Sequence, residues 1–203
     1  MSCLCNEWSA DDKKTLLSFK ENVDSDDVRI KEKIKDVLLD NRYLIHVLNN
    51  KELEEADAEA DDYFNVNIKP YFIIPDTQSS TKNFLCYEIG FDETNRYNET
   101  VKVLQVTFYI LCHQKDIIDA DTGIARHDLL AALVQDQFNY IDIFGGKLKI
   151  VSDKPSTTAT NYAARTLVFE TTTDNNLVKT VNGKPYLSNK INYNRYGNGF
   201  IKQ

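Results

Sequence analysis

The sequence predicts an α+β domain: a mainly antiparallel sheet packed against helices, with extended N- and C-terminal arms. Three observations carry this expectation. Two stretches place apolar residues at helical spacing, several others alternate as strands do, and the order reads helix, three strands, helix, two strands. Strands grouped in this way pair with their neighbours through short connections, whereas a parallel sheet needs a helix after each strand. With 42% hydrophobic residues, a chain of 203 residues buries a substantial single core.

From Asp26 to Leu48 the apolar positions Ile30, Ile34, Val37, Leu38, Ile45 and Leu48 form one helical stripe, opposite Arg29, Lys31, Glu32, Lys33 and Lys35. Asp26 or Asp27 is a candidate cap for the first turn. An earlier segment, Asp11 to Val23, reads as a shorter helix. Seven carboxylates and no basic residue follow in residues 52–62, a composition expected to stay a solvated loop.

Two strands, "NVNIKPYFII" at 65–74 and "NFLCYEIGF" at 83–91, are expected to pair across the polar link "PDTQSSTK". The strongest strand is "VKVLQVTFYILCH", residues 101–113. Leu104, Val106, Phe108, Ile110 and Cys112 point one way; Gln105, Thr107, Tyr109, Leu111 and His113 point the other. Tyr109 and Leu111 predict a second face that is half covered, by a helix or another subunit. The spacing of Leu129, Leu130, Leu133, Val134 and Phe138 predicts a helix over 125–140. Past Gly145-Gly146, "KLKIVS" and "YAARTLVFETTT" supply two more strands.

These boundaries divide the chain into an N-terminal arm or short helix (1–25), a core (26–173) with an acidic loop (51–62), and a C-terminal arm (174–203). The arm contains a hairpin turning at Asn182-Gly183. It carries Lys179, Lys184, Lys190, Arg195 and Lys202 against Asp174 alone, while the whole chain has a net charge of −7. Opposite signs on one chain attract copies head to tail, and the negative total disfavours general binding to nucleic-acid backbone.

No run of roughly 18 apolar residues occurs, so no membrane helix and no signal peptide is expected. The sequence predicts a soluble protein, intracellular at birth. Cys3, Cys5, Cys86 and Cys112 do not form a secreted disulfide framework and are expected as free thiols. Asn98-Glu99-Thr100 matches a glycosylation acceptor, which matters only in a secreted chain.

The chemically suggestive stretch is "DADTGIARHDLLAAL", residues 119–133. Asp121-Thr122-Gly123 matches the triplet of aspartic proteases, but that chemistry needs two carboxylates sharing a proton at strand tips. Here the triplet leads into a helix, so Asp121 is expected to start a turn in which Gly123 takes positive φ. A calcium loop from Asp119 fails because Gly123 comes one place early and Leu130 stands where the bidentate Glu belongs. His127-Asp128 is similar to the metal doublet of HD-type phosphohydrolases, with His113 as a third ligand, yet those enzymes are all-helical. Cys112, His113 and His127 lack the fourth ligand and close pairing of a zinc site. Arg126, His127 and Asp128 are read as a polar first helical turn in which Asp128 complements the helix dipole. His46 sits among apolar helix positions and is expected as a packed or edge-exposed side chain rather than a catalytic one. No glycine cluster cradles phosphate and no serine stands in a nucleophile elbow. No catalytic residue, cofactor site or metal site is therefore expected. The enzymatic alternative is a metal-dependent hydrolase using Asp119, Asp121, His127 and Asp128, crowded by Asp116. A third reading is a monomeric binding module whose arms fold on a partner.

The strand "VKVLQVTFYILCH", the helix "RHDLLAALVQDQFN", the segment "FGGKLKIVSD" and the strand "YAARTLVFETTTDNN" together resemble the tail terminator and neck proteins of long-tailed bacteriophages. The likeness covers roughly residues 26–176 and is one of pattern. It implies a non-enzymatic virion protein assembled in the host cytoplasm: a ring, usually a hexamer, that caps the tail tube and docks it to head connector or stopper proteins. DNA would pass through such a ring without specific binding, with no membrane involved. The acidic loop and the long C-terminal arm depart from the compact core of that family.

Overall fold

The computed structural model describes residues 10–17, 26–74, 82–92, 101–142, 146–157 and 161–174. Residues 30–174 belong to one compact unit, and the short helix α1 (Ala10–Leu17) belongs to another. The expected C-terminal hairpin lies outside the described residues.

The helical stripe expected over 26–48 is two helices, α2 (Asp26–Leu39) and α3 (Arg42–Leu48). Asn41 makes the break. Its backbone is extended, and its side-chain oxygen accepts from the amides of Tyr43 and Leu44, satisfying donors that the first turn of α3 leaves open. Asp26 and Asp27 lie within the first turn of α2 rather than before it. Asn49, at φ 50°, then closes α3, one of the few residue types that tolerates the left-handed region.

The acidic run is ordered rather than loop-like. Asn50 caps a single helical turn, α4 (Lys51–Glu55), and a 3-10 turn follows at Ala60–Tyr63. In the latter, Glu59 and Asp62 bond reciprocally to each other's backbone amides. The carboxylates face water, while Tyr63 is buried against the core and holds the turn down. Charge density alone missed the anchor that this one aromatic residue provides.

The sheet has five strands in the order β1-β2-β3-β5-β4: β1 (Ile68–Lys69), β2 (Phe84–Asp92), β3 (Val101–His113), β4 (Lys149–Thr157) and β5 (Tyr162–Asp174). The three long pairings are antiparallel; β1 alone runs parallel to β2. The ten-residue strand expected at 65–74 is thus reduced to two residues. Pro70 has no amide to continue the ladder, and Asn65 turns the chain at φ 62° just before. Register over the whole of β3 pairs Val101 with Asp174 and His113 with Tyr162, so β3 and β5 form a long two-stranded spine.

The expected alternation along β3 holds. Leu104, Val106, Phe108, Ile110 and Cys112 are all fully buried, facing α2, α3 and α5 (Arg126–Phe138) in the main core. Phe108 lies at its centre, with ring centroids of Phe138 at 4.9 Å, Phe169 at 5.7 Å and Tyr87 at 6.3 Å. A small second cluster, Phe84, Cys86, Leu111, Tyr162 and Ala164, covers one end of the other face. The remainder of that face, including Val103, Gln105, Thr107, Thr166 and Val168, stays half-buried.

At Gly146 a small residue is required. A Cβ there would stand 2.5 Å from Thr171 Oγ1 and 2.6 Å from the Thr172 carbonyl oxygen. β4 is an outer strand, and it carries an irregularity between Ile150 and Ser152 as well as Pro155.

Candidate functional site

A buried polar knot lies where α3 and α4 meet the ends of β2 and β3 and the start of α5. Its hub is Arg126, whose side chain is 5% exposed. On the helix it falls in line with Leu130, Val134 and Phe138, all on the buried face of α5. The guanidinium donates to Asp119 Oδ1 at 2.8 Å, to the Val47 carbonyl at 3.2 Å and to the Asp116 carbonyl at 3.1 Å. Asp116 Oδ1 stands 3.4 Å from Nε. A buried charge survives only with such pairing.

Asparagines extend the knot. Asp116 Oδ2 accepts from Asn49 and Asn83, each at 2.8 Å. Asn83 also donates to the Leu48 carbonyl and accepts from the His113 amide. Asn67 donates to the Asn83 carbonyl and accepts from Asn50 at 2.6 Å. Asn50, Asn67 and Asn83 are all buried. Together they join both helical turns to two strands without any regular ladder.

The loop singled out in the sequence is a turn. Asp119, rather than Asp121, begins it: Oδ2 accepts from the Thr122 amide and hydroxyl, and the Asp119 carbonyl accepts from the Gly123 amide. Gly123 takes φ 71°, as expected. The Thr122 hydroxyl holds the Asp119 carboxyl below its ordinary value of 3.8, with Arg126 adding to this and burial opposing it. Its stabilisation is therefore present above pH 3.8 and is lost as pH falls through the lower folded value. Thr122→Ala should cost about 1–2 kcal/mol at pH 7, and urea unfolding at successively lower pH should show the gap to the parent chain closing below pH 3.8.

Asp121 is exposed and lies 3.2 Å from Nε2 of His46, which is also exposed, the second of the two placements expected for that histidine. Asp128 does not simply face the helix end; it pairs with Arg165 of β5, which also grips Asp153 of β4 at 2.7 and 2.9 Å. These bonds hold the Asp153 carboxyl low. His113 Nδ1 accepts from the Lys115 amide, and its ring stands edge-on to Tyr162. His127 Nε2 is 3.4 Å from Asp128. Cys112 is buried, which pushes its thiol up, and burial pushes the Cys86 thiol up to about 11. Both are free. Among the described residues, no three His, Cys, Asp or Glu side chains gather as a metal site would require. The candidate hydrolase residues are dispersed: Asp119 into the knot, Asp121 to His46, and Asp128 to Arg165.

Sequence reasoning missed the asparagine network altogether, since lone asparagines also mark turns and caps. Arg126 left a signal, because its four-residue spacing from Leu130 places it on the apolar stripe. Among the described residues no helix is long and apolar enough to cross a membrane.

The protein is an α+β domain in which a mixed five-stranded sheet is held to its helices by buried polar side chains. The chain belongs to the YomW family, whose model matches residues 41–171, from the Asn41 cap to Thr171 near the end of β5. That family is named after a Bacillus phage or prophage gene, which suggests a phage-associated protein. No curated protein matches the sequence.

Proposed function

We propose that this chain is a structural virion protein without enzymatic activity: a ring-forming tail terminator or neck component that joins the phage tail tube to the head connector. The observation that carries this reading is the second face of the sheet. Its central residues Thr107, Thr166 and Val168 are half-buried, and Tyr109 meets the exposed Phe72 in a tilted ring contact with centroids 4.7 Å apart. Apolar and uncharged polar groups dominate this surface; a carboxylate on its central strands, Glu170, accepts from Gln105 at 3.1 Å, and Glu88 and Lys154 lie towards the margins, an arrangement that fits the anatomy of a subunit interface. The phage association of the family supports the setting.

In this reading six copies close a ring that contacts tail-tube and head-connector or stopper proteins. The ring assembles in the host cytoplasm and remains in the virion. A net charge of −7 lets DNA pass without retention. Native mass spectrometry and negative-stain imaging of the full chain at micromolar concentration test the proposal. Closed rings are expected, and Thr107→Arg with Val168→Arg should reduce them to folded monomers. A parent chain that stays monomeric alone and with tail-tube protein overturns it.

A further inference from the structure

Beside the polar knot lies a cavity of about 360 Å³ lined by Asn49, Asn50, Lys51, Glu52, Lys82, Lys115 and Asp116. Both of its carboxylates are already compensated from within the chain. Asp116 accepts from two asparagines and faces Arg126, and Glu52 pairs with Lys82 at 2.7 Å. Among the described residues, Lys51 and Lys115 have no ion-pair partner. Lys51, Lys82 and Lys115 outnumber Glu52 and Asp116 along the lining, and the underlying Arg126 is balanced by Asp119, so the cavity carries a small positive excess on a chain of net charge −7.

The floor is rigid, because Asn50 is tied through Asn67 to Asn83, all of them buried. A preorganised floor lowers the entropy lost on binding. The rim donors are ammonium groups, point charges that suit the tetrahedral oxygens of phosphate without the planar fork that a carboxylate prefers. The volume exceeds that of a bare anion and falls within the range of small-ligand sites.

We infer that this cavity binds a phosphate group, with Lys51, Lys82 and Lys115 as its cationic rim. The inference does not depend on ring formation. The group comes from a free phosphate or nucleotide, or from the backbone of a nucleic acid, and the two sources share this chemistry.

The test is a titration of the full chain, at constant ionic strength, with inorganic phosphate, with a mononucleotide and with a short single-stranded oligonucleotide, read by amide NMR shifts. Saturable shifts confined to Asn49–Glu52 and Lys115 are expected. Lys51→Ala with Lys115→Ala should weaken binding about tenfold or more, while Lys149→Ala with Lys154→Ala on β4 should leave it unchanged. Stronger binding of the oligonucleotide assigns the source to nucleic acid, and stronger binding of the small ligands assigns it to free phosphate. Absence of saturable shifts with every ligand overturns the inference, as does an unchanged affinity in the folded Lys51/Lys115 double variant.

Discussion

Arg126→Leu is expected to destabilise the domain by about 3–5 kcal/mol, the cost of leaving a buried carboxylate without its partner. Asp119 is as enclosed as Arg126, each side chain being 5% exposed, so water cannot replace the guanidinium. The carbonyls of Val47 and Asp116 lose a donor in the same step. A typical domain holds about 5–15 kcal/mol in total, so the loss removes a large share. Urea unfolding followed by circular dichroism measures it. The double change Arg126→Leu with Asp119→Leu should recover part of the deficit, because no charge is then stranded. A single variant as stable as the parent would show that the knot contributes little net stability.

Phe108→Ala is the second large effect, at about 3–5 kcal/mol. The ring is fully buried among Tyr87, Phe138 and Phe169, which come from β2, α5 and β5. No single neighbour can collapse into the space, since each is fixed by a different element. Phe108→Leu should cost less than half as much, because it retains most of the apolar volume. The same unfolding experiment separates the two, and equal losses would show that the ring contacts, rather than the cavity, set the cost.

The two predictions fall on opposite sides of what the sequence makes legible. Phe108 was visible as a core residue because period-2 alternation over thirteen residues leaves few alternatives, and α5 and β5 were visible for the same reason of long, regular pattern. Local breaks were less so. One Asn at position 41 divides a continuous helical stripe, and Pro70 with Asn65 cuts a ten-residue strand candidate down to two paired residues. These outcomes depend on where a side-chain oxygen finds an amide, which periodicity does not encode. The candidate site follows the same rule. Gly123 announced its positive φ, whereas the partners of Asp116 come from positions 49, 83 and 126 and meet only in the folded chain.

The outermost strand has a wider consequence. Among the described residues β4 borders the sheet, and a proline and a misaligned residue interrupt its backbone ladder, so an approaching chain finds no continuous row of amides on which to zip. Growth by adding strand to strand, the route to fibres, is disfavoured at that border. Copies that associate are directed instead to broad surfaces, whose geometry can return on itself and stop.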